Sequence, residues 1–138
     1  MRFPKIKYKW VWADEVEKFE KALKEDPEQR FSGKVSGQEY QQALGSYKLA
    51  CFAERLRNGN IAFWDHPSQA DILHLYLINK HHWTLEQARQ IQKEDDFLFL
   101  LRTELEQLKL NGAEADPVKD SVSFLPEYLD FAAHFEPT

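Results

Sequence analysis

Apolar and polar positions change period several times along this chain, and each change marks an expected element. Residues 3–12 alternate, with Ile6, Tyr8, Trp10 and Trp12 on one face and Lys5, Lys7 and Lys9 on the other. Period two with aromatics predicts an N-terminal strand, and the lysines predict an edge that repels other edges. Its candidate partners are few: residues 30–35, 60–64 and 121–125. That predicts a minor β element, either a small sheet of two or three strands or pairing with a second chain.

Helical spacing takes over after residue 12. Trp12, Val16, Phe19 and Leu23 share a face, with Asp14 and Glu17 placed as a cap and Pro27 as a stop. After a polar loop at 26–37, Ser36 and Glu39 form a capping box for a helix striped by Tyr40, Ala43, Leu44, Tyr47, Ala50 and Cys51. Asn58 and Gly59 supply its C-cap. Asp65-His66-Pro67 opens a third helix that is apolar nearly all round, from Ile72 to Ile78, and is therefore expected at the centre of the fold.

His81 and His82 read as a polar turn. Thr84 and Gln87 form another capping box, and Trp83 against Ala88 is a hydrophobic staple, predicting a short helix at 85–93. Glu94, Asp95 and Asp96 sit where the positive end of the next helix favours carboxylates. Leu98, Leu101, Leu105 and Leu108 make its seam, and Gly112 ends it. The fold class is therefore mainly α: a bundle of five or six helices with a minor N-terminal strand. Residues 1–110 are expected to form one globular domain. NGAEADPVKD, residues 111–120, reads as a linker, and 121–138 as a C-terminal docking helix carrying Tyr128, Phe131, Ala132 and Phe135 on one face. Such a helix is too short to hold alone in water, so it must dock on its own core or on another molecule.

Composition narrows the picture. A chain of 138 residues with 43% apolar content is large enough for a core that needs neither disulfide nor metal. The single cysteine, Cys51, excludes an internal disulfide, suits a reducing compartment, and lies in an apolar stripe where a small buried residue is expected rather than a nucleophile. No apolar run reaches the roughly 18 residues of a membrane span, and the N-terminus lacks a signal-peptide pattern, so a cytoplasmic location is expected. The net charge of −5 is lopsided: residues 1–85 carry 13 basic and 11 acidic side chains, residues 86–138 carry 5 and 12. An acidic half discourages nucleic acid and suits a basic protein partner.

Candidate chemistry is sparse. Residues 70–93 have the spacing of a helix-turn-helix, with Gln87, Arg89, Gln90, Gln92 and Lys93 able to reach bases, but Glu86 and the acids at 94–96 oppose a phosphate wall. The basic aromatic strand is a small platform for a single strand of nucleic acid. The five histidines show no ligand-pair spacing typical of zinc, so neither a metal nor a cofactor is expected. Asp65-His66 is the only adjacent acid–imidazole pair on which a small enzyme's site could be built, and a helix start gives both residues a structural task.

The segment LHLYLINKHHWTLEQARQIQKEDDFLFLLRTELEQL, residues 73–108, resembles a pattern in small phage tail-assembly chaperones: a Trp-Thr turn, a short helix, an acidic start and a leucine-rich helix. The first 65 residues have no counterpart in that pattern. Small acidic immunity proteins are similar in size and charge. Both likenesses imply a bacterial or phage protein of adaptor, immunity or assembly-chaperone type. The expected function is thus a non-enzymatic, acidic protein-binding module whose partner is another, basic protein, with a homodimer as a further arrangement. Glu94, Asp95, Asp96, Glu104, Glu106 and Asp116 are its expected contact surface, with Tyr128, Phe131 and Phe135 on the tail. A DNA-binding regulator using 85–93 and an enzyme at Asp65/His66 are the alternatives.

Overall fold

The N-terminal alternation resolves as a helix. In the computed structural model, which describes residues 7–25, 37–60, 62, 64–65 and 67–137, helix α1 runs Tyr8–Glu25. Tyr8, Trp12, Val16, Phe19 and Leu23 turn toward the protein at helical spacing, while Trp10 stays exposed with the Lys7 ammonium 4.2 Å from its ring centre. Over Tyr8–Trp12 a period of two and a helical step of four place the same pair of rings together. The thirteen helical residues that follow carry only the helical period, and the helix wins. Asp14 is accordingly inside α1 rather than at its cap. Of the expected strand partners, residues 30–35 lie outside the described residues, Asn60 ends a helix, and Ser121 and Val122 belong to another.

Among the described residues seven more helices follow: α2 Gln38–Asn60, α3 Gln69–His81, α4 Leu85–Arg89, α5 Glu94–Leu100, α6 Arg102–Gln107, α7 Gly112–Val122 and α8 Tyr128–Ala132. The only β pairing described is a single parallel bridge between Leu110 and Phe135, where Leu110 N–H donates to the His134 carbonyl and Glu136 N–H to that of Leu110.

The expected linker is α7. Asn111 caps it, accepting from the Glu114 N–H while the Glu114 carboxylate accepts from the Asn111 N–H. Ala115, Val118 and Val122 then recur at three- and four-residue steps and are buried. Cap and burial together offset Pro117, which withdraws one N–H from the helix. Gly112 consequently starts a helix instead of ending one. The leucine seam is also split: the chain departs from helical geometry at Leu101 (φ −104°, ψ 14°) between α5 and α6.

The centre of the fold is α2, not α3. Ala43, Leu44, Tyr47 and Cys51 face one cluster, built with Trp12 and Val16 of α1, Ala115, Val118 and Val122 of α7, and Phe131 and Phe135 of the tail. Leu49 and Ala53 face a second, built with Ile72, Leu73 and Leu77 of α3 and Phe97, Leu101 and Leu105 of α5–α6. A helix clamped from two sides must also bury polar residues, and Ser46, Lys48 and Glu54 are buried on α2. α3 instead leaves Leu75 40% exposed.

Candidate functional site

A groove of about 710 Å³ lies between α1 and α7. Its floor is Trp12, Val16 and Tyr40. One wall is α7, presenting Ala113, Asp116, Pro117 and Asp120. The other is the start of α1, with Lys7 and Lys9. The helical step of four puts Asp116 and Asp120 on one side of α7, one turn apart. Both are exposed, and among the described residues no ion pair engages either of them.

Trp12 is fixed rigidly. Its Nε1–H donates to Ser121 Oγ at 2.8 Å, and Ser121 in turn donates to the Pro117 carbonyl at 3.2 Å. Tyr40 stacks against its ring at 6.2 Å and Tyr47 meets it edge-on at 5.3 Å. Pro117 has no N–H to give to the Ala113 carbonyl one turn back, so that acceptor on the groove wall is left to other donors. The groove thus offers a preformed aromatic floor and two carboxylates. The carboxylates make the α7 wall an acceptor of hydrogen bonds and positive charge, while Lys7 and Lys9 stand on the opposite wall.

Several residues expected on an interaction surface are spent inside the protein. Glu94 accepts from Ser46 of α2 at 2.5 Å and from Lys18 of α1 at 3.1 Å, tying three helices together. Glu104 accepts from Tyr76 at 2.8 Å and Lys80 at 2.5 Å. Burial pushes its carboxyl up, but those two hydrogen bonds outweigh it and hold the group below the usual carboxylate range. Phe131 and Phe135 lie in the first core cluster, so those rings are occupied within the chain. Tyr128 is half-buried beside them. Asp95, Asp96, Glu106 and Asp116 are exposed, and of these only Asp116 lines the groove.

The alternative sites are equally definite. The Thr84–Gln87 capping box forms as expected, at 3.1 and 2.9 Å, but α4 ends at Arg89, leaving Gln92 and Lys93 outside a helix of five residues. His82 closes α3 with φ 57°, and His81 stacks on Trp83 at 4.8 Å. His74 donates Nε2–H to the Ile91 carbonyl at 2.6 Å. Among the described residues no group of three His, Cys, Asp or Glu is arranged to hold a metal. Asp65 is exposed at a turn beside a cleft of about 290 Å³ lined also by Asp71, His74 and Arg89, and its neighbour His66 lies outside the described residues. α3 is capped by Ser68, which accepts from Asp71 N–H, rather than by Asp65. Burial pushes the Cys51 thiol up to about 12, with the Glu114 carboxylate adding to it, and a thiol that rarely ionises is a poor nucleophile.

Sequence reasoning missed most of the groove because it missed the helix forming its wall. The available signal was Asn111 with Glu114 three residues on, followed by apolar steps at 115, 118 and 122.

No protein-family profile, curated protein or solved structure matches this chain. Among the described residues no helix is long and apolar enough to cross a membrane.

Proposed function

We propose that this chain is a protein-binding module, not an enzyme, and that the groove between α1 and α7 receives a segment of a basic partner. The segment seats an apolar side chain against Trp12 and Val16 and places a Lys or Arg against Asp116 and Asp120. The observation that carries this reading is the pair of exposed carboxylates, one turn apart and without ion-pair partners among the described residues, beside an apolar floor already held in place. Like charges at that spacing oppose the helix by about 0.2–0.5 kcal/mol, and a cationic side chain between them relieves the opposition. A floor that needs no rearrangement lowers the cost of binding. The acidic excess over residues 86–138 adds attraction at long range.

Selection of a displayed random-peptide library on the intact chain tests the reading. Enriched peptides should pair an aromatic or branched aliphatic residue with Lys or Arg. Their binding should weaken with added salt and fall about tenfold or more in a protein carrying Asp116→Lys and Asp120→Lys. A library that yields no enrichment, or binders indifferent to both charge reversals, would refute it.

A further inference from the structure

The C-terminal segment is held over the first core cluster by a second set of contacts, and one of them titrates. Lys48 of α2 is only 3% exposed. Its ammonium donates to the Leu105 carbonyl at 2.9 Å and lies 2.7 Å from Nδ1 of His134. An ammonium has no lone pair to accept with, so Nδ1 must be the acceptor, and the imidazole must be neutral with its proton on Nε2. Around this contact the chain is stitched twice more: Lys109 donates to the Ala133 carbonyl, and the Leu110–Phe135 bridge supplies two backbone hydrogen bonds. Beneath lie Phe131 and Phe135.

We propose that the Lys48–His134 contact is an acid-sensitive latch, holding residues 128–136 on the core while His134 is neutral and releasing them when the ring takes up a proton. Protonation removes the acceptor at Nδ1 and sets two cations 2.7 Å apart. Every neighbouring charge enters the balance. Lys48 from α2 and Lys109 after α6 oppose the imidazolium, Glu106 of α6 favours it, and Asp130 of α8 shares with His134 a cleft of about 170 Å³ that gives the ring access to protons without unfolding. Burial, then Lys48 and Lys109, hold His134 below its ordinary value of 6.5, and Glu106 does not offset them. Burial and then Lys109 likewise lower Lys48, to about 8. The sign follows from linkage. Below the ordinary histidine value the released segment binds more protons than the held one, so the latch weakens as pH falls through that window. Release would uncover Phe131 and Phe135 together with the face of α2 beneath them, a surface closed at neutral pH.

Amide hydrogen exchange on the intact chain, corrected for the intrinsic effect of pH, tests the latch. From about pH 7.5 to about pH 5.5, protection at Leu110 and Glu136 should fall about tenfold or more, while Leu49 and Ala53 in the second cluster keep theirs. His134→Gln retains an acceptor that does not titrate and should abolish the selective loss, whereas Lys48→Met removes one of the opposing cations and should diminish it. Ring-nitrogen shifts of the wild-type protein provide a check independent of the variants, with His134 expected as the neutral Nε2–H form at pH 7. An imidazolium or an Nδ1–H ring at pH 7, a loss of protection shared equally by Leu49 and Ala53, or an undiminished loss in His134→Gln would each overturn the proposal.

Discussion

The two halves of the core are built on opposite plans. The second cluster is mostly aliphatic and close in sequence: apart from Leu49 and Ala53 of α2, its buried members come from Ile72 to Leu105. The first gathers α1, α2, α7 and the tail, and is joined by polar contacts across long separations: Trp12 to Ser121, Tyr47 to the Glu114 carbonyl, Arg55 to the Glu114 carboxylate and Lys48 to His134. Burial does most of the work in the second, and its polar ties, such as Tyr76 to Glu104 and His74 to the Ile91 carbonyl, span shorter stretches of chain. The first also needs its hydrogen bonds, because each buried polar group there loses water and must find a partner. The groove and the proposed latch both lie in the polar-jointed half.

The largest effects should come from breaking each half by its own means. Leu101→Ala opens a cavity in the second cluster and should cost about 2–5 kcal/mol, read as a lower urea midpoint with unchanged slope. In the first cluster, Glu114→Ala removes the Arg55 pair at 2.5 Å and half of the α7 capping box. A buried pair broken on one side costs about 3–5 kcal/mol, but Arg55 is partly exposed and can turn to water, so about 2–3 kcal/mol is expected. Because α2 belongs to both clusters, both substitutions should shift one shared transition. Two separate transitions in either variant would show that α2 does not couple the halves.

Smaller effects sharpen the contrast. Trp12→Phe loses the bond to Ser121 and one ring of a buried indole, for about 1–3 kcal/mol. Thr84→Ala removes the cap of α4 and should cost about 0.5–2 kcal/mol, with increased amide exchange confined to α4 and its turn. At the low end, Lys80→Ala removes a partly exposed partner of Glu104 and should cost at most about 1 kcal/mol, declining further in high salt.

The same contrast explains how far the sequence could be read. In the second half, local chemistry decides structure: the Thr84–Gln87 box and the acids at the start of α5 are written within four residues of where they act. In the first half local patterns misled. Tyr8, Trp10 and Trp12 fit a strand until the helical steps beyond them are weighed. NGAEADPVKD holds a glycine and a proline, yet its capping box and its apolar steps at 115, 118 and 122 make it a helix once a core is present to cover them. Lys48 with His134, and Arg55 with Glu114, could not be read as partners, because nothing in a sequence states a separation of 86 or 59 residues. Of the groove, the floor residues Trp12, Val16 and Tyr40 were legible as apolar positions. Asp116 was legible as an exposed acid, but not as part of a wall.

Amide shift mapping with a selected basic peptide tests the central claim most directly, because it asks which half of the molecule binds. Perturbations should concentrate at Trp12, Val16, Tyr40, Ala113, Asp116 and Asp120, with those of α3 to α6 small. Shifts centred instead on Leu75, Leu85 and Arg89 of the α3–α4 face would contradict it and put the binding surface on the aliphatic half.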